Sequence, residues 1–244
     1  MAPSGIGDRV VRLGRVGSTI DAARALAREG AAHGTVVVAQ DQAAGRGRLG
    51  RTWHTIPGKS VAATVILREL PQPEYLPLAG MAAALAVVSA ARGLLRLHLR
   101  TKWPNDVVFG GRKLAGVLAQ RTAGVVLLSI GLNVNGERRH LPEDIRGTAA
   151  TLQMVTGAPV DLAAMERALW RALDRSWRTL LRDPAALVRR WKRLHIAGER
   201  PVGGRAAAVE TGGCRKDGAR PGAKPGPLGH RRGCAESRNR AIVT

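Results

Sequence analysis

Aromatic residues are scarce in this chain: five tryptophans, one tyrosine and one phenylalanine make up 3% of its 244 residues. Surfaces that bind nucleic acid by stacking bases need more rings than that, gathered on one face. Cysteine is scarcer still. Cys214 and Cys234 both fall in the final segment, which leaves neither a disulfide framework nor a Cys-x-x-Cys metal site. Long apolar runs are lacking too. The longest uncharged stretch, Tyr75 to Ala91, has 17 residues, is mostly alanine and contains Pro77 and Gly80. It is short and weak for a membrane span and reads as a buried helix. The opening "MAPSGIGDRVVRLGRV" has no apolar middle of the kind a signal peptide needs, so a cytoplasmic protein with no membrane partner is expected.

Acidic residues are few: 18 against 39 lysines and arginines, for a formal charge of +21. The basic residues are scattered along every segment, which disfavours a dedicated nucleic-acid arm but still favours acidic partners and phosphates. A basic nucleic-acid-binding module remains the alternative of a different class. The rest is ordinary: 45% of residues are hydrophobic, no repeat is visible, and the length suits one good-sized core.

Several elements can be read directly. "GSTIDAARALAREG" has the signals of a helix, with Ser18 or Thr19 as N-cap, Asp21 in the first turn and Gly30 at the far end. Strands are predicted at about 35–40 and 60–67, followed by the alanine-rich helix at about 76–92. "LHLRTKWPNDVVFGGRKLAGVLAQ" suggests a strand, a loop at Trp103 to Asp106 and a hairpin turning at Gly110 and Gly111. "VVLLSIGLNVNG" adds a strand. Leu162, Met165, Leu169, Leu173, Trp177 and Leu180 recur at helical spacing, and a further helix starts at Pro184. Strands meandering between helices predict an α+β domain, a mixed sheet with packed helices, ending near residue 197.

"GRGRLGRTW", Gly45 to Trp53, fits the spacing of a dinucleotide fingerprint and misses a phosphate-binding loop only because Arg51 stands where lysine should. Both motifs require a helix directly after the glycines. Here Pro57 and Gly58 follow, then a second strand, so the context is strand, loop, strand. No His-Arg-Asp or Asp-Phe-Gly follows to make it a kinase loop. Arg46, Arg48 and Arg51 place three permanent cations on a backbone that Gly45 and Gly47 allow to bend, which suits a bound anion. Their mutual repulsion predicts a loop that orders over a phosphate or carboxylate. A solvated basic hairpin is the plainer alternative.

Three more stretches carry candidates. "TKWPNDV" holds Lys102, Asn105 and Asp106 in a turn stiffened by Pro104. "RKLAGVL" starts a strand with Lys113 and leaves backbone bare at Gly116, and "IGLNVNG" ends a strand at Asn133. Each has an ordinary structural role as its alternative: an exposed turn, a strand glycine, a turn asparagine.

Taken in order, "STI", "AGRGRLGRTW", "KWPNDV", "KLAGVL" and "IGLNVN" resemble the biotin–protein ligases of the biotin operon repressor type, over roughly residues 14–195. The resemblance implies a catalytic domain akin to class II aminoacyl-tRNA synthetases. It also implies a two-step reaction, in which ATP and biotin form biotinyl-5′-AMP and a lysine of a biotin carboxyl carrier protein then takes the biotin. By the same carry-over Arg46, Arg48 and Lys113 are catalytic. Ser18, Thr19, Gln42, Gly45, Gly47 and Gly116 belong to the biotin site with them. Arg51, Trp53, Lys102, Asn105, Asp106 and Asn133 join Arg48 and Lys113 on the adenylate side. Magnesium is expected to ride on the ATP phosphates, since no carboxylate cluster offers a protein site. A monomer or weak homodimer is implied, and a lipoate or octanoyl transferase of the same fold is the near alternative.

The chain departs from the family pattern in three places. Ile20 stands where asparagine usually follows Ser-Thr. Only 17 residues precede Ser18, too few for a helix-turn-helix domain, so a ligase without a DNA-binding repressor part is expected. From residue 198 to 244 glycine, proline and arginine dominate where the family carries a small SH3-like barrel. A disordered tail is expected there, either genuine or the product of a late reading-frame change.

Overall fold

The computed structural model describes residues 5–196 apart from 69, 71 and 123; the atypical tail lies outside the described residues. Eight strands, β1 (Val10–Val16), β2 (Val36–Gln42), β3 (Ser60–Leu67), β4 (Arg100–Lys102), β5 (Asp106–Phe109), β6 (Arg112–Thr122), β7 (Val125–Asn133) and β8 (His195–Ile196), form one sheet. Its order is β1-β2-β3-β7-β6-β5-β4-β8. The pairs β1/β2 and β4/β8 are parallel and the others antiparallel, so the sheet is mixed, as expected. Five helices pack on it: α1 (Thr19–Arg28), α2 (Leu76–Leu95), α3 (Leu152–Thr156), α4 (Leu162–Arg182) and α5 (Pro184–Leu194).

The two faces of the sheet are unequal because successive strand side chains point to opposite sides. Val61, Ala63, Val65 and Leu67 of β3 join Val126, Leu128, Ile130 and Leu132 of β7 in the main core, under α2, α4 and α5. α2 is long and apolar enough to cross a membrane, but its alanines let it lie close to both neighbours, and it is the central helix of this core. α4 turns Met165, Leu169, Leu173, Trp177 and Leu180 inward, the stripe its spacing predicts, and removing one of these leucines would cost about 2–5 kcal/mol. On the opposite face α1 is the one helix that packs among the described residues, setting Ile20 and Ala23 against Val37, Ile66, Val125 and Leu127. The remainder of that face is left for a site.

Local chemistry sets most boundaries. Ser18 caps α1 by accepting from the Ile20 amide, Asp161 caps α4 and Asp183 caps α5 ahead of Pro184. Gly110 and Gly111 turn the β5/β6 hairpin with φ of 55° and 76°, a pair of positive values that glycine adopts without penalty. β1, α3 and β8 were not expected. β1 is a half-exposed edge strand carrying Arg12 and Arg15, tied down by an ion pair of 2.6 Å between Arg12 and the buried Glu166 of α4. α3 is a single short helix capped by Thr151. The loop expected at Trp103 to Asp106 is one residue shorter, since Asp106 already opens β5.

Candidate active site

The open part of the second face is a cleft of about 620 Å³. Its floor is bared by two glycines set side by side by strand register, Gly131 opposite Gly116, with Asp106 opposite Gly116 on the next strand. The indole of Trp53 lies on these glycines. A Cβ on Gly131 would stand 2.5 Å from Trp53 Cζ2 and 2.7 Å from Cδ2, and one on Gly116 would stand 3.2 Å from Cζ3. The bare backbone expected at Gly116 is therefore covered by Trp53, and by Lys113, whose Nζ would be 3.2 Å from the same Cβ. The Trp53 indole N–H is buried there without an acceptor among the described residues.

The arginine loop closes one side of the cleft. It is a small hairpin in which the Gly47 amide donates to Arg51 at 2.7 Å and the Trp53 amide donates to Gly45 at 2.9 Å. Gly45 is buried under this crossing and does not line the cleft; a Cβ there would collide with the Trp53 carbonyl oxygen. Leu49, at the tip, is exposed and sits at φ 55°. The expected mutual repulsion of three cations is relieved in part by Arg46, which pairs with Asp21 of α1 at 2.6 Å. The hydrogen bond from Arg46, aided by the charges of Arg46 and Arg24 and opposed by burial, holds the Asp21 carboxyl below the usual carboxylate range. Arg48 and Arg51 are exposed on the cleft and have no carboxylate partner among the described residues.

Lys113 enters from β6, opposite the turn that carries Asn105 and Asp106. Its Nζ is 2.7 Å from Asp106 Oδ1 and 5.8 Å from the Trp53 ring centroid. The angle makes the first contact an ion pair without an aligned hydrogen bond, so Oδ1 keeps unmet acceptor capacity. The backbone around Lys113 is fixed by two bonds to the 148–150 segment: its amide donates to Thr148 and its carbonyl accepts from Ala150. Asn105 is pinned to Val117 by its side chain at 2.8 Å and its carbonyl at 2.9 Å. Lys102 is exposed at the same rim. Lys102, Lys113, Arg48 and Arg51 make this end of the cleft strongly cationic.

The other end is polar and neutral. Gln42 Oε1 accepts from the Thr19 amide at 2.9 Å and from the Thr19 hydroxyl at 3.1 Å. Thr19 Oγ1 lies 2.9 Å from Thr64 Oγ1, which lies 2.9 Å from Ser129 Oγ. Two sequence candidates fall elsewhere. Ser18 is buried as the cap of α1 and is not on the cleft wall. Asn133 is buried, donates to Ala150 at 3.2 Å, and lines a separate pocket of about 250 Å³ with His54 and His140. Thr64, Ser129 and Asp21 escaped the sequence reading. The available signal was a hydroxyl within each of the apolar runs "AATVIL" and "LLSIGL", on the strand face that does not enter the main core.

A mixed sheet packed by helices on one face thus carries a glycine-floored, basic cleft on the other. The biotin protein ligase of Aquifex aeolicus, solved with biotin and ATP, superposes with a TM-score of 0.65 at 28% identity, over 72% of this chain and 73% of that one. The chain belongs to the Biotin/lipoate A/B protein ligase family, whose pattern matches residues 15–136. Among curated relatives, the bifunctional ligase/repressor BirA of Bacillus subtilis is 32% identical over 166 residues, 66% of this chain and 51% of its own length. The biotin–[acetyl-CoA-carboxylase] ligase of Mycobacterium tuberculosis is 34% identical over 145 residues, 58% of this chain and 53% of its own. The chain thus spans about half the length of the curated relatives it matches.

Proposed function

We propose that this chain is an ATP-dependent biotin–protein ligase. The observation that carries the reading is the polarity of the cleft: neutral hydrogen-bonding groups at Thr19 and Gln42, an apolar floor at Gly131 and Gly116, and cations at Lys113, Arg48, Arg51 and Lys102. That sequence of environments suits a molecule with a polar ring, an aliphatic arm and a carboxylate beside a triphosphate.

In the first step a biotin carboxylate oxygen attacks the α-phosphorus of ATP. A carbon–oxygen–phosphorus anhydride forms, and the bond to pyrophosphate breaks. Both reactants are anions, so their approach is opposed until cations cancel the repulsion and the charge that grows in the transition state. Lys113, held at a strand start, is suited to this; Asp106 keeps it in position and yields it when stronger anions enter. Arg48 and Arg51 close over the phosphates. Magnesium arrives with ATP as part of the substrate; no cluster of three His, Cys, Asp or Glu stands ready for a metal among the described residues. In the second step the neutral ε-amine of a carrier-domain lysine attacks the acyl carbon, an amide forms, AMP leaves, and the amine's proton is lost. The carrier is the biotin carboxyl carrier protein of a biotin-dependent carboxylase, and the reaction takes place in the cytoplasm.

Incubation with magnesium, ATP, biotin and a carrier domain, read by avidin blot, tests this, with lipoate and octanoate in parallel. Biotin-dependent ATP–pyrophosphate exchange is the expected first-step signal. Acylation of the carrier by lipoate or octanoate with no reaction of biotin would replace the reading with the transferase alternative.

A further inference from the structure

Resting on the ligase reading, we propose that Ser129 is a specificity residue of the biotin site, acting as a hydrogen-bond acceptor for a ring N–H of the substrate. The hydroxyl chain has a fixed direction. A backbone N–H can only donate, so the atom 2.9 Å from the Thr19 amide must be the oxygen of the Gln42 side chain. That oxygen is also 3.1 Å from Thr19 Oγ1, so the Thr19 hydroxyl must donate to it; any other rotation would set two lone pairs against each other. With its hydrogen used, Thr19 Oγ1 can only accept from Thr64, 2.9 Å away. Thr64 in turn can only accept from Ser129, again at 2.9 Å.

Each hydrogen in the row is thereby assigned, and the last, on Ser129, points inward. What Ser129 Oγ presents outward is lone pairs alone. Thr64 is fully buried, but Ser129 is half-buried and lines the cleft, directly opposite Leu118 of β6 and two residues before Gly131. An acceptor there, with no hydrogen to offer, recognises an N–H and rejects a carbonyl or an apolar ring. At the other end of the row Gln42 also lines the cleft, and its Nε2 makes only a long 3.4 Å contact to Thr55, which leaves it able to donate. Acceptor at one end and donor at the other complement a cyclic urea, whose N–H groups flank a carbonyl. A dithiolane or an alkyl chain meets neither group, and leaving polar groups unmet in a closed site discriminates strongly.

The test is Ser129→Ala in ATP–pyrophosphate exchange, with biotin and with the two biotins singly methylated on a ring nitrogen. The chain with Ser129 should favour biotin over one of the two methylated forms. Ser129→Ala should raise the KM for biotin about five- to tenfold with kcat little changed. It should also shrink the preference over that one analogue, because the acceptor it penalises is gone. A purely structural role would shift both analogues alike. Unchanged KM and unchanged analogue preferences, in an active enzyme, would overturn the inference alone. Absence of any biotin-dependent exchange in the unsubstituted chain would remove the ligase reading and this inference with it.

Discussion

Gly131→Ala is the sharpest probe of the cleft floor. Gly131 has no positive φ, so alanine meets no backbone strain there, and its absent side chain is explained by space alone. The added Cβ would sit 2.5 Å and 2.7 Å from Trp53 Cζ2 and Cδ2, against an unstrained carbon–carbon separation of about 3.5–4.0 Å. The ring must retreat by roughly 1 Å or more or leave. Retreat is hindered because the Trp53 backbone is bonded to Gly45 at 2.9 Å. Compression costs about 1–3 kcal/mol. Eviction, at ~25 cal/mol per Å² over a buried ring area on the order of 100 Å², costs about 2.5 kcal/mol. Either route predicts ~2 kcal/mol, a fall in Tm of roughly 4–8 °C for a chain of this size. Eviction adds a red shift of tryptophan emission, and biotin should bind at least about tenfold more weakly, since the indole walls the cleft. The decisive measurement is thermal unfolding of Gly131→Ala in a Trp53→Ala background. With the ring gone the alanine should cost less than ~0.5 kcal/mol, and an undiminished cost there would refute the steric argument.

Lys113→Ala should lower ATP–pyrophosphate exchange by at least ~100-fold with little change in Tm, because it removes the cation nearest the joining anions without entering the core. Normal exchange in that variant would place the chemistry elsewhere. Arg48→Gly should leave the fold intact and weaken retention of biotinyl-AMP, so that bystander proteins become biotinylated; labelling confined to the carrier would count against a phosphate clamp. Asp21 has its carboxyl depressed by Arg46, so its contribution to holding the loop is present above the ordinary carboxylate pKa of about 3.9 and is lost as pH falls through the lower folded value. An NMR titration should find the Asp21 midpoint below that ordinary value, moving back up in Arg46→Ala; an unmoved midpoint would exclude the pair.

Periodicity made the core legible. α4 declares its buried face through five large residues at helical spacing, and the β5/β6 hairpin announces its turn through two glycines. β1 was missed because "VVRLGRV" sits at the sheet's edge, where neither face is deeply buried and arginines are tolerated. The tertiary ion pair to Glu166 holds it, and partners 154 residues apart leave no local mark. The cations around the cleft were legible for the opposite reason: Arg46, Arg48, Arg51, Lys102 and Lys113 are charged residues in short, odd contexts. Ser18 and Asn133 illustrate the converse, polar residues at motif positions whose side chains the fold uses for a cap and a strand-end bond.

The charged and the neutral groups of the cleft differ in how the protein itself pairs them, and that difference explains why one set could be read from composition and the other could not. Two of the cations, Arg46 and Lys113, each find a carboxylate, Asp21 and Asp106. Such partly exposed pairs are worth only about 0–1 kcal/mol, so an incoming anion can displace them at small cost, while the arginine loop is spared part of its self-repulsion. Charges are visible in sequence whether or not they are paired. At the neutral end, the row from Gln42 to Ser129 satisfies itself internally except at its cleft-facing groups. Its selectivity lies in which way four hydroxyl and amide groups point, a property of register between β3 and β7 and of the start of α1. No single residue in the row announces it, because serine and threonine in a strand are ordinary until the fold sets Thr64 directly opposite Ser129.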